Sequence, residues 1–110
     1  MKKNKFSKNW IIKQKRDIYV KKSKLEGYRS RAVYKLVEIN NKFNLIKNNT
    51  LVIDLGAAPG SWSQYISRNF SNSKIISIDL KDIEPIKNLI HIKGDFTEEQ
   101  QKKKYQKLFW

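Results

Sequence analysis

Two patterns of apolar residues divide the chain into two parts. In the first part, apolar positions recur at loosely helical spacing over residues 10–25, and Gly27 follows as a helix terminator. A second helix is predicted over residues 31–43, with Ser30 as its N-cap. One narrow face of that helix carries the apolar residues Ala32, Leu36, Ile39 and Phe43. The first part is therefore expected to form two helices, preceded by a basic, mobile arm over residues 1–9.

The second part alternates short apolar runs with segments of helical spacing. Strands are predicted over residues 51–55, 74–80 and 88–92, and helices over residues 61–70 and 96–108. This order predicts an α/β fold, the first half of a doubly wound parallel sheet. Three strands leave an apolar sheet edge open, so we expect the chain to be the N-terminal half of a larger domain, truncated or encoded as a remnant.

The positive charge is concentrated in the first half of the chain. The whole sequence has 24 Lys and Arg against 10 Asp and Glu, a net charge of +14. Residues 1–50 have 15 basic and 3 acidic residues, and residues 51–110 have 9 and 7. This asymmetry favours a polyanionic partner for the first half, most simply nucleic acid. Composition leaves two alternatives open: an acidic membrane surface, and a solvated lysine-rich face without a partner.

Composition also argues against several classes of protein. The sequence has no cysteine and a single histidine, His91, which excludes a disulfide framework and a thiolate or histidine-rich metal site. No apolar run approaches the length of a membrane span, and the basic start lacks the apolar core of a signal peptide. We therefore expect a cytoplasmic protein with no metal and no membrane partner.

The glycine-rich segment after the first strand is the strongest candidate for ligand binding. Gly56 follows the strand directly, where a missing Cβ lets a ligand approach the backbone. Pro59 stiffens the turn, and Gly60 opens a helix whose free N–H groups favour electron-rich atoms. The G-x-x-x-G spacing differs from the dinucleotide and P-loop patterns. A purely structural strand–helix turn is the alternative.

Four further side chains are candidates for the same site. Asp79 closes the second strand, 23 residues after Gly56, a spacing that suits a carboxylate accepting the hydroxyls of an adenosine ribose. Asp95 follows the third strand, where it could reach an adenine amino group; surface or loop acids are the alternative for both. Trp62 could line the ligand pocket or fill the core. Lys35 borders the apolar helix face, a position more typical of a lysine whose stem covers apolar surface.

A family resemblance lies in two motifs at a characteristic separation, GYRSRAVYKLVEIN and LVIDLGAAPGSWSQYIS, followed by IDL and KGDF. Together they resemble the FtsJ/RlmE ribosomal RNA 2'-O-ribose methyltransferases, over about residues 10–96 and the first half of a family member. The resemblance implies a Rossmann-like fold that uses S-adenosylmethionine, with basic N-terminal helices before about three parallel strands. It implies methylation of a uridine 2'-hydroxyl in the 23S rRNA of the large ribosomal subunit, in ribosome biogenesis, by an enzyme that is monomeric when complete.

The resemblance also implies roles for single residues. Gly60 and Trp62 match cofactor-binding positions, and Asp79 and Asp95 match the acids beside the ribose and the adenine. Lys35 matches the first lysine of the Lys-Asp-Lys-Glu catalytic set, so the basic helix around it is expected to follow RNA phosphates and present the target ribose.

Two departures from the family pattern qualify these expectations. Ser61 stands where bacterial members commonly have a second glycine, and the later catalytic Asp, Lys and Glu have no counterpart in this sequence. We expect residues 1–49 to face RNA and residues 50–110 to form the N-terminal half of the methyltransferase domain, incomplete as an enzyme. A non-catalytic basic RNA-binding fragment is the alternative; the glycine spacing disfavours a dinucleotide oxidoreductase.

Overall fold

The order of helices and strands is the predicted one. A computed structural model describes residues 5–95, so the helix predicted over residues 96–108 lies outside the described residues. The elements are α1 (Lys5–Glu26), α2 (Val33–Phe43), β1 (Leu51–Leu55), α3 (Ser61–Asn69), β2 (Lys74–Asp79) and β3 (Leu89–Lys93). Most boundaries agree with the predictions to within one or two residues. The exception is α1, which already includes residues 5–9 of the predicted arm.

The three strands form one parallel sheet in the order β1-β2-β3. Leu55 at the end of β1 pairs with Ile78, and Asp79 at the end of β2 pairs with Lys93. The carboxyl ends of all three strands therefore meet at one edge of the sheet, which is the edge where open α/β sheets bind ligands. No helix in the described part of the chain is long and apolar enough to cross a membrane.

The core lies between the sheet and the helices α2 and α3. It is built from Val33 and Leu36 of α2, Tyr65 and Ile66 of α3, and Ile75 of β2. Val33 and Ile75 have no exposed surface, and Ile66 has 2%. Because burying such a side chain contributes about 1.5–3 kcal/mol, this cluster fixes α3, and with it the turn before α3, against the strands.

The buried face of α2 differs from the predicted one. Val33, Leu36 and Asn40 are buried, whereas Phe43 is 60% exposed and Ala32 is also exposed. Asn40 can face the interior because its side-chain oxygen accepts the N–H of Ile46 at 2.8 Å. A buried amide with a hydrogen-bond partner costs little, so a polar residue belongs to this face and the purely apolar pattern was misleading.

The N-cap predicted at Ser30 is also wrong. The helix begins at Val33, and the capping position is Ala32, which makes no side-chain cap hydrogen bond. The Ser30 hydroxyl instead lies 2.8 Å from the hydroxyl of Ser61 at the start of α3. This contact between residues 31 positions apart could not be read from local spacing.

The strand β1 is less buried than predicted. Asp54 is buried, but Leu51, Ile53 and Leu55 are each about half exposed. The reason is position: β1 lies at the edge of the described sheet and has a strand neighbour on one flank only. The run of apolar residues on β1 was correctly assigned to a strand but wrongly assigned to full burial.

Candidate functional site

The glycine turn bends the chain across the end of β2. The N–H groups of Gly56 and Ala57 both donate to the carbonyl of Ile78, at 2.8 and 3.3 Å. Gly56 has φ +67° and Gly60 has φ +110°, backbone conformations that side chains with a Cβ adopt at a cost. The Ala58–Pro59 peptide bond is cis. The turn therefore places the start of α3 beside the carboxyl edge of the sheet.

Asp79 is joined directly to this turn. One oxygen of its carboxylate accepts the N–H of Ala58 at 2.9 Å, and the other accepts the N–H of Lys81 at 2.8 Å. The hydrogen bonds from Lys81 and then Ala58 lower the pKa of Asp79 below its usual value. The carboxylate is therefore held ionised, and each oxygen keeps a further lone pair for a ligand hydroxyl. The sequence prediction that Asp79 lies next to the glycine turn is confirmed.

Asp95 lies at the same edge of the sheet. It follows β3 by two residues, and the N–H of the intervening Gly94 donates to the carbonyl of Asp79 at 2.9 Å. Asp95 is partly buried. The parallel register thus brings the ends of β2 and β3 together, as their spacing in sequence predicted.

A cavity of about 520 Å³ opens on the α2 side of the glycine turn. Its walls include residues 56–59 of the turn, Trp62, Leu36 and Asp54. Neither Asp79 nor Asp95 lines it. The structure therefore brings the turn and Trp62 into one cavity, and connects Asp79 to them through the backbone of Ala58.

Trp62 both packs and lines the cavity. Its ring lies partly buried against the core, and its indole N–H donates to the carbonyl of Ala32 at 2.8 Å. The two roles that the sequence left as alternatives are therefore compatible. The hydrogen bond also connects α3 to the loop before α2.

Asp54 is a site residue that the sequence analysis did not select. It is buried in β1, and one of its carboxylate oxygens accepts the Ser63 hydroxyl at 2.7 Å. Burial raises the pKa of Asp54, the hydrogen bond from Ser63 opposes the rise, and the negative charge of Asp79 adds to it. The available signal was an acid inside an otherwise apolar strand, since a buried carboxylate needs a partner.

Arg29 is a second residue that sequence reasoning missed. One of its guanidinium nitrogens donates to the carbonyls of Pro59 at 3.0 Å and Glu84 at 2.9 Å, and the other donates to the carbonyl of Pro85 at 3.3 Å. A Cβ at Gly60 would lie 2.9 Å from this guanidinium. Arg29 thus fixes the glycine turn to the loop after β2, and no local spacing predicts a contact across 30 to 56 residues.

Lys35 does not line the cavity of about 520 Å³ at the glycine turn. It is exposed and borders a second cavity of about 550 Å³, together with Tyr19, Arg31, Tyr34 and Glu38. Two residues of the connecting loop, Ser30 and Ala32, line both cavities. The two cavities therefore share a wall, and Lys35 borders the cavity on the far side of it. Among the described residues no group of His, Cys, Asp and Glu could hold a metal ion.

Comparisons with known proteins identify relatives of this chain. A family model described as FtsJ-like methyltransferase matches residues 28–109. A relative from Pelagibacter ubique, named ribosomal RNA large subunit methyltransferase E, is 60% identical over 109 residues, covering 99% of this chain and 54% of the relative. A protein of the same name from Rickettsia felis is 52% identical over 99 residues, covering 84% of this chain and 44% of the relative. The chain thus spans about half the length of these curated relatives.

A solved structure is also similar. It is that of a Plasmodium falciparum protein described as a ribosomal RNA methyltransferase, with a TM-score of 0.59 and 43% sequence identity. The match covers 66% of this chain and 41% of that one. Three parallel strands with flanking helices are thus part of a Rossmann-like methyltransferase fold, as the sequence predicted.

Proposed function

The chain belongs to the FtsJ-like methyltransferase family, and we propose that it forms the cofactor-binding half of an enzyme that methylates a ribose 2'-hydroxyl in ribosomal RNA. The proposed cofactor is S-adenosylmethionine, and the proposed substrate is a uridine in the 23S rRNA of the large ribosomal subunit, in the cytoplasm. Relatives named for methylation of large-subunit ribosomal RNA support this proposal.

The junction between the glycine turn and Asp79 is the observation that carries the proposal. A Cβ at Gly56 would meet no atom within 4 Å, so a ligand has room to approach the backbone there. The Asp79 carboxylate, bonded to the N–H of Ala58, remains able to accept the hydroxyls of a ribose. These residues fit an adenosyl group: Asp79 would hold the ribose, Asp95 the adenine, and Trp62 would form part of the wall. Gly60 does not line the cavity and would act by shaping the turn before α3.

The chain's own chemistry toward RNA rests on Lys35. S-adenosylmethionine supplies an activated methyl group on a sulfonium ion. Lys35 is exposed beside the wall shared with the first cavity, where its ammonium could donate a hydrogen bond to the ribose 2'-oxygen and orient it. The basic helix α1, with eight Lys and Arg against two acidic residues, would hold the phosphates.

Calorimetric titration of the 110-residue chain with S-adenosylmethionine tests the cofactor proposal. We expect binding that Gly56→Ala abolishes or weakens at least about tenfold, because the new methyl group occupies the ligand's approach. Gly27→Ala is the matched control, since Gly27 also has a positive φ, +74°, but lies outside the cavity walls. No binding by the unsubstituted, folded chain, or equal losses in both variants, would contradict the proposal.

RNA binding without methyl transfer is a second candidate function, favoured by the charge of α1. Labelled S-adenosylmethionine incubated with the chain and large ribosomal subunits should give no methyl incorporation, since no residue matching the family's catalytic Asp, second Lys or Glu is present. Strong salt dependence of RNA binding, with no calorimetric signal for the cofactor, would favour this second function.

A further inference from the structure

We propose that Tyr19 is a stacking platform for one base of single-stranded RNA, next to the ribose held at Lys35. The proposal rests on the proposed function and adds to it a positioning residue on α1. Tyr19 and Lys35 border the same cavity of about 550 Å³, although they come from different helices.

The Tyr19 ring has an aromatic support on one face. Tyr34 of α2 stacks on it, with ring centroids 5.4 Å apart and planes inclined by 28°. Tyr34 is itself held by an edge contact with Tyr28 at 6.2 Å and by the ammonium of Lys22, 4.8 Å from its centroid. Tyr19 nevertheless remains 42% exposed. A planar base can therefore extend the stack from the exposed part of Tyr19 without moving the supporting ring.

The polar end of the supporting ring is buried. The Tyr34 hydroxyl is buried and makes no hydrogen bond of good geometry within the described part of the chain. Its burial, together with the nearby carboxylate of Glu26, raises the pKa of Tyr34 to about 12. Tyr34 therefore supports Tyr19 as an aromatic ring whose hydroxyl is shielded from water.

The surroundings of Tyr19 are suited to the phosphates of a nucleic acid strand. Tyr19 and Tyr34 line two cavities, and cationic side chains border both: Arg31 and Lys35 in one, Lys22 and Lys42 in the other. Glu38 is the one acid among the residues lining these two cavities. An aromatic face between cations is the arrangement that binds single strands, with bases on the ring and phosphates on the cations.

A membrane surface fits α1 less well. Its exposed apolar residues are spread around the helix: Ile11, Ile18 and Leu25 share one face, whereas Trp10 and Ile12 lie about 100° to either side of Ile11. A helix that lies on a bilayer needs one continuous apolar stripe. The stack and its cations therefore favour RNA over lipid as the occupant.

The test compares two ligands of equal charge on the full 110-residue chain. A short oligouridine and an abasic ribose–phosphate chain of the same length are titrated against the unsubstituted chain, Tyr19→Leu and Tyr19→Phe. We expect the unsubstituted chain and Tyr19→Phe to bind oligouridine at least about fivefold more tightly than Tyr19→Leu does. All three should bind the abasic chain equally, because a loss of fold or charge would affect both ligands.

Several outcomes would overturn the inference. These are equal binding of the two ligands by the unsubstituted chain, an equal loss on both ligands in Tyr19→Leu, or binding to anionic phospholipid vesicles with no sensitivity to the bases. Ile18→Leu serves as the control, because Ile18 is an exposed apolar neighbour on α1 that lines neither cavity. Cofactor titration separates a failure of the stacking proposal from a failure of the proposed function. If the chain binds S-adenosylmethionine but its RNA binding does not depend on the bases, only the stacking proposal fails.

Discussion

Replacing Gly60 with alanine should lower the free energy of unfolding of the chain more than the same change at Gly56 does. Both glycines have a positive φ, +67° at Gly56 and +110° at Gly60, but their surroundings differ. A Cβ at Gly56 would meet nothing within 4 Å, whereas one at Gly60 would lie 2.9 Å from the Arg29 guanidinium and 3.3 Å from Ile86. The two substitutions therefore share backbone strain, and only one of them adds a steric clash.

The expected difference in the free energy of unfolding follows from these contacts. Backbone strain alone should cost Gly56→Ala about 1–2 kcal/mol. Gly60→Ala has a comparable or larger strain and must also displace Arg29, whose bonds to the carbonyls of Pro59 and Glu84 contribute roughly 1 kcal/mol each. The total should be about 3–5 kcal/mol, which places its melting temperature about 8 °C or more below that of Gly56→Ala.

Thermal unfolding of the full chain, followed by circular dichroism, measures this difference. Gly27→Ala is a further control, because its Cβ would lie 3.6 Å from Arg68, an ordinary contact distance. In an Arg29→Ala background, the additional cost at Gly60 should fall to that of backbone strain and the remaining contact with Ile86. A Gly60→Ala melting temperature equal to that of Gly56→Ala, or an unchanged cost in the Arg29→Ala background, would refute the reasoning.

Three other predictions concern buried or hydrogen-bonded side chains. Asp79 has a lowered pKa in the folded chain, so its contribution to stability is present above its unfolded pKa near 3.8 and is lost as the pH falls through the lower folded value. In urea unfolding, Asp79→Asn should therefore lose less stability at acid pH than the unsubstituted chain does. An unchanged loss of stability at acid pH would contradict this prediction. Asp54 has a raised pKa, so its ionisation opposes folding as the pH rises. Asp54→Asn should therefore equal or exceed the unsubstituted chain in stability at pH 7. Asp54→Ala, which leaves the Ser63 hydroxyl without its partner, should lose about 1–3 kcal/mol of stability. Equal losses in the two variants would contradict the prediction of a buried charge. Trp62→Phe removes the indole hydrogen bond to the Ala32 carbonyl and should lower the free energy of unfolding by roughly 1 kcal/mol in chemical denaturation. An unchanged free energy of unfolding would show that this bond does not stabilise the chain.

Local features of the sequence determined the order of elements and the place of the glycine turn. Alternation of apolar runs and helical spacing identified β1, α3, β2 and β3, because each signal lies within one continuous segment. Parallel strands then bring their carboxyl ends to one edge, so Asp79 could be placed beside the turn before any coordinates. The assignment of functional roles to all the candidate site residues remains a proposal: Lys35, Gly56, Gly60, Trp62, Asp79 and Asp95.

Tertiary structure alone decided which polar residues are buried and which distant residues meet. Asn40 became part of the buried face of α2 because Ile46 supplies a partner for its amide. Arg29 reaches carbonyls 30 and 55 residues away, and Tyr19 meets Tyr34 across two helices. Spacing within a segment describes only which side chains share a face of that element. Contacts between elements depend on how the whole chain packs, so no pattern along a single helix or strand specifies them.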